Sequence, residues 1–254
     1  MKKIILLFGI LLLTLSACIE ERESFIISGK ATDFNGQPLD SVTILLKNKA
    51  FENIYETLTD TNGNYSLDVK KGDYYCLYAI KLPEYRVNKL EYWMWNVPVY
   101  KDMTINPQYD RMEIYGINAF EPQVTPQETY MIYFRPMSLA KTLQIVSEKE
   151  LDKELFENSK QTEKLLENST TLINMSPECI TAEELSIEIN GIKSEIVGIN
   201  RITEYARGLH YYGYCVQVLK PQNKNFELKY DLISVSLHSK ETGEKGKGEA
   251  FIKR

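Results

Sequence analysis

From Phe25 onward the chain is cut into short apolar runs that alternate with polar residues, and most of them end at a Gly, Asn or Asp within about ten residues. Runs this short do not complete a stable helix, whereas alternation with a period of two puts every second side chain on one face of a strand. Phe25-Ile26-Ile27 opens the first strand. Val42, Ile44 and Leu46 mark the second, residues 54–59 the third, Tyr65, Leu67 and Val69 the fourth, and residues 74–80 the fifth. Between them lie Asn35-Gly36, Asp60-Thr61-Asn62-Gly63-Asn64 and Lys71-Gly72-Asp73, whose Gly, Asn and Asp residues suit tight turns. The pattern predicts an antiparallel sandwich. The alternating Asp and Asn of residues 60–64 invite a calcium reading, but an EF-hand-type loop needs Gly where Tyr65 stands, so the segment reads as a turn.

The order Ile27-Ser28-Gly29-Lys30, Asn35-Gly36-Gln37-Pro38-Leu39, Val42-Thr43-Ile44, Thr59-Asp60-Thr61-Asn62-Gly63-Asn64-Tyr65 and Gly72-Asp73-Tyr74 resembles the carboxypeptidase regulatory-like domain. The resemblance covers residues 25–81 and extends to about 117. It implies a transthyretin-like seven-stranded sandwich over residues 25–117, recurrent as an add-on in secreted bacterial proteins; it does not imply peptidase activity.

Residues 91–100 hold both tryptophans of the protein. In a strand Trp93 and Trp95 share a face, and they are the candidate ligand platform, with burial in the sandwich core as the alternative. Residues 103–115 are expected to complete the first sandwich. Pro122 and Pro126 mark the boundary, and residues 118–254 are expected to form a second, Ig-like β-sandwich. Tyr130 to Phe134 is a strand ended by Arg135-Pro136. Leu151, Leu155, Phe156 and Leu165-Leu166 recur near helical spacing among Glu and Lys, predicting one inserted surface helix at about 147–168. Strands resume at Leu185, at Tyr211, over residues 228–237 and from Glu249, with residues 239–248 as a flexible polar loop. The fold class expected is all-β.

The N-terminus reads Lys2-Lys3, an apolar run, then Leu15-Ser16-Ala17-Cys18. A charged start, an apolar middle too short to span a bilayer and small residues before a cleavage point make a secretory signal of residues 1–17. The cysteine makes it similar to a bacterial lipoprotein lipobox. The resemblance implies acylation of Cys18, a membrane anchor through that lipid, and residues 18–24 as a solvated tether. The acidic residues after Cys18 resemble the export signal of surface lipoproteins of the Bacteroidota, implying an outer-membrane protein facing the surface rather than the periplasm. Cys76, Cys179 and Cys215 are left, either as one bond, of which Cys179 with Cys215 is the candidate, or as three thiols.

The chain carries a net charge of −5 and no basic run, which speaks against nucleic acid. It has only two histidines, His210 and His238, without metal-ligand spacing, and no GxSxG, P-loop or GxGxxG. No catalytic residue, metal or cofactor is assigned, and no carboxylate pair stands out. The cluster around His210 reads as a strand histidine among tyrosines. The expectation is a non-catalytic cell-envelope lipoprotein that binds a glycan, a peptide or a protein partner in the outer membrane. The alternative is a structural or adhesive surface module with no small ligand.

Overall fold

The computed structural model describes residues 22–148, 174–206, 209–222 and 229–254. Cys18 and the signal lie outside the described residues, as does most of the segment expected as helix 147–168. Within the described residues the protein is all β apart from one helix and a short 3-10 turn, Leu82–Glu84.

Seven strands come first: β1 (Ser24–Lys30), β2 (Thr43–Lys47), β3 (Asn53–Leu58), β4 (Asn64–Lys70), β5 (Gly72–Ile80), β6 (Tyr92–Val99) and β7 (Met103–Thr104). One sheet has the order β4-β1-β7, and β6-β5-β2-β3 form the end of a larger one. The alternation read from the sequence is the burial pattern: Tyr65, Leu67 and Val69 of β4 point inward and the residues between them outward. With Ile27, Ile44, Leu46, Leu77 and Val97 they fill the first core. The turn before β4 is closed by Asp60, whose carboxylate accepts the backbone N–H of Asn62 at 2.9 Å and of Asn64 at 2.8 Å. This is the Asx-turn role of such a residue.

The second half contributes β8 (Met112–Phe120), β9 (Thr129–Ser138), α1 (Leu139–Glu148), β10 (Leu185–Ile189), β11 (Ile192–Lys193), β12 (Ile196–Ala206), β13 (Leu209–Leu219), β14 (Tyr230–His238) and β15 (Lys245–Lys253). Four of them form a sheet in the order β12-β13-β9-β8. The others, β10, β11, β14 and β15, lie across a second core from it, with Ile187, Val235 and Ala250 facing Ile114, Ile132 and Val216, as the second expected sandwich. They extend the first-half sheet to eight strands, in the order β11-β10-β14-β15-β6-β5-β2-β3. The join is parallel, with Glu249 beside Met94 and Ala250 beside Trp95. The two expected sandwiches thus share a sheet, and β8, expected to finish the first, is an edge of the four-stranded sheet. Pairing between strands about 150 residues apart leaves no trace in local alternation.

Two further expectations are corrected. Residues 245–248 are strand, because β8 lies directly on β15: a Cβ at Gly248 would stand 2.4 Å from the Ile114 carbonyl oxygen. β9 runs on through Arg135-Pro136, expected to end it, and meets α1 at Leu139. Ser138 caps the helix through its Oγ, which accepts the Lys141 N–H at 3.2 Å, while the distant Glu244 accepts the Ala140 N–H at 2.9 Å. Cys76, Cys179 and Cys215 are all free thiols. Tyr214 sends its hydroxyl to the Pro177 carbonyl at 2.6 Å, so the Cys179 loop sits on the Tyr214 side of β13, and Cys215 points the other way.

Candidate functional site

β6 is the wall common to both cores. Tyr92 and Met94 face the first core, and Trp93 and Trp95 face the second. The exposed Asn96, at φ 56°, breaks the alternation, so Val97 and Val99 return to the first core. The two indoles stack with centroids 5.0 Å apart and planes 6° from parallel. Tyr115 stands edge-on to both, Tyr78 tilts against Trp93 at 4.4 Å, and Phe51 and Tyr75 close the outer side. Each tryptophan is only 6% exposed. As an open stacking platform the pair is therefore corrected: it is buried, and its facing surfaces are spent on each other.

The structure instead places a cavity beside Trp93. Along β8, Met112 and Ile114 enter the second core, and Glu113 and Tyr115 alternate to the other face of the strand, where Tyr115 packs against Trp93 and Trp95 at the rim of that core. Across the β8–β9 ladder Glu113 faces Met137 and Tyr115 faces Arg135, which puts all four on one face. After Tyr115 the ladder slips, with Gly116 at φ 64°. Such a bulge re-aims the strand beside it. Glu91 precedes β6, Tyr85 and Arg86 follow the 3-10 turn, Ser176 leads toward β10, and Tyr211 comes from β13. Together these side chains line a cavity of about 310 Å³ in the corner between the two sheets. Arg86 holds φ 59°, a left-handed conformation that costs a non-glycine residue about 1–2 kcal/mol. Backbone strain of this kind concentrates at functional sites.

The floor is acidic and dry. Glu91 is 6% and Glu113 4% exposed. Both line the same cavity, and the charge of Glu91 acts on Glu113. Burial, then the Glu91 charge, pushes Glu113 well above the ordinary carboxylate range, and burial also raises Glu91. Tyr78 donates to Glu91 Oε2 at 2.8 Å. At the mouth the Arg135 guanidinium is clamped between the rings of Tyr115 at 4.8 Å and Tyr211 at 5.0 Å. Glu204, which accepts from the Tyr133 hydroxyl, approaches its Nε at 3.7 Å, an ion-pair distance too long for a hydrogen bond. Two buried donors here have no hydrogen-bond partner, Trp93 Nε1 and Arg135 Nε. The Trp93 N–H is near enough to favour an ionised Glu91 without bonding to it.

Sequence reasoning missed Glu91, Glu113 and Arg135. One signal was available: Glu113 interrupts an apolar run, Met112-Glu113-Ile114. The His210 side chain lies outside what the structure describes. A larger groove of about 610 Å³, with Asn48, Lys49, Tyr75 and Tyr230 in its lining, runs over the surface near the β2–β3 turn. Its Tyr230 hydroxyl already donates to Asp73 at 3.2 Å, and neither of the unpartnered donors named above lines it. Among the described residues no group of three or more His, Cys, Asp or Glu is placed to hold a metal, and no helix is long and apolar enough to cross a membrane.

The chain matches no protein-family model and no curated protein sequence, so the likeness of residues 25–81 to the carboxypeptidase regulatory-like domain rests on turns and strand order alone. Among solved structures it is similar to a DUF3823 family protein from Parabacteroides merdae, at 8% identity over 91% of this chain and 99% of that one, with a TM-score of 0.27. A DUF3823 family protein from Bacteroides ovatus is similar at 10% identity over 90% and 100%, TM-score 0.28. The major pilin subunit BcpA of Bacillus cereus is similar at 11% identity over 90% and 67%, TM-score 0.27. Likeness this distant does not bear on what the chain binds.

Proposed function

We propose that this protein is a non-catalytic binding module of the cell envelope, tethered to the outer membrane through an acylated Cys18, and that its ligand seat is the corner cavity beside Trp93. The observation that carries this reading is the unmet hydrogen-bonding capacity there: two buried donors without partners, next to a buried carboxyl pair and a clamped arginine. Buried polar groups are normally paired, and an unpaired one costs about 1–3 kcal/mol, so a site that keeps two is prepared for a partner. The ligand is a segment of glycan or peptide, in keeping with a small cavity that mixes aromatic walls and a few polar groups.

The burial of both tryptophans favours a second reading, a structural surface module without a small ligand. Screening the intact protein and an Arg135→Ala variant against glycan and peptide arrays separates the two. The first reading expects binding that the variant loses. Equal binding by both proteins, or none by either, sinks it.

A further inference from the structure

We propose that the corner cavity takes two adjacent hydroxyls of a hexopyranose ring, held between the Glu91–Glu113 carboxyls and the unpartnered N–H groups of Trp93 and Arg135. This deepens the binding reading above and rests on it.

Trp93 Nε1 and Arg135 Nε can only donate, and each is buried without an acceptor. Beside them the buried carboxyls of Glu91 and Glu113 present acceptor oxygens. A group that fills the space must therefore accept from nitrogen and donate to carboxylate. A ligand carboxylate or phosphate is matched in charge by Arg86 and Arg135, but it only accepts and leaves the oxygens of Glu91 and Glu113 without a donor. An ammonium donates but does not accept, and it would lie against Arg135. A hydroxyl does both, and two on neighbouring carbons do so at two points of one small ring. The rim supplies what the C–H faces of such a ring pack on, the rings of Tyr85, Tyr115 and Tyr211. The clamp of Tyr115 and Tyr211 on Arg135 fixes the direction of the guanidinium before any ligand arrives, which lowers the ordering cost of binding. At about 310 Å³ the cavity lies at the lower end of ligand-pocket volumes, which suits a chain end or a single ring rather than a long glycan laid flat. A peptide amide also donates and accepts, and it is the competitor that the experiment has to separate.

The protein carries its own reporter, because both of its tryptophans are Trp93 and Trp95. The full chain is titrated with methyl hexopyranosides of gluco, galacto and manno configuration, their 2-deoxy and 3-deoxy analogues, and N-acetyl dipeptide amides, while tryptophan emission is followed. The expected result is a saturable change with at least one hexopyranoside. Its deoxy analogue and the Glu113→Gln variant each bind about tenfold or more weakly, the loss of roughly one hydrogen bond to a buried group. Arg135→Lys keeps the charge and loses the planar fork, and it is expected to weaken binding likewise should Glu113→Gln not fold. Equal binding of a sugar and its deoxy analogues overturns the proposal, as does silence from every sugar. Dipeptide amides that bind where sugars do not, and lose affinity in Glu113→Gln, overturn the sugar while leaving the cavity as the seat. Any ligand bound equally by wild type, Glu113→Gln and Arg135→Lys overturns both.

Discussion

The two faces of β6 differ in what they leave undone. On one face Tyr92 and Met94 enter the first core, where polar groups are mostly settled internally: the Tyr65 hydroxyl donates to the Ile105 carbonyl at 2.8 Å and Tyr92 to Glu249. Only the Tyr109 hydroxyl is left without a partner there. On the other face, around a corner with two buried carboxyls and a clamped arginine, three N–H donors are left without partners, those of Trp93, Trp95 and Arg135. The first face is built for stability. The second gives up hydrogen bonds that a purely structural core would satisfy, which is what a preorganised binding site looks like from inside the fold.

This contrast can be broken or sharpened by substitution. The largest effect is expected where both faces depend on one contact. Gly248→Val drives a side chain into the Ile114 carbonyl, and is expected to cost about 4 kcal/mol or more in urea unfolding, removing the corner along with the core. Leu77→Ala, in the first core, is expected to cost about 3 kcal/mol by cavity formation and to leave ligand affinity unchanged. If it weakened binding as much as Glu113→Gln, the two faces would not be independent.

The carboxyl pair makes the next prediction. Glu91 and Glu113 are raised in the folded protein, above the ordinary value of 4.5, with burial as the first cause. Folding therefore takes up protons. The stability this gives is full below that ordinary value and declines as pH rises toward the folded-state values, by up to about 1.4 kcal/mol per pH unit for one proton. Glu113→Gln is expected to flatten the decline, so urea midpoints of wild type and variant converge near pH 5 and separate at about pH 8, with the variant the more stable. Parallel profiles would show that Glu113 does not hold its proton. The smallest effect is expected at the mouth. Arg86→Gly relieves a left-handed residue, so stability should stay within about 1 kcal/mol of wild type while affinity falls. A drop in melting temperature with unchanged affinity would make Arg86 a structural residue only.

Much of the fold was legible from local pattern. The alternation of Tyr65, Leu67 and Val69, and of Leu185, Ile187 and Ile189, translates directly into buried faces. What was not legible came from contacts between distant segments. Lys245-Gly246-Lys247-Gly248 reads as a flexible loop until β8 is seen lying on its glycines. The helix begins at Leu139 because Glu244, about a hundred residues away, accepts an N–H of its first turn. The site is harder still. Glu91 and Glu113 are brought together by strands of different sheets, and neither has neighbours in sequence that mark a carboxyl pair. Trp93 and Trp95 were visible as a pair on one face of a strand. Which side of the molecule that face met was decided by the parallel join of β15 to β6.

The central claim is that the corner beside Trp93, and not the larger groove near the β2–β3 turn, is where a ligand sits. It is tested most directly by a crystal structure of the protein soaked with whichever array ligand binds best. Electron density between Glu113 and Arg135, in contact with Trp93 Nε1, is the predicted result. Density over Asn48, Lys49 and Tyr230, with the corner unchanged, would contradict it.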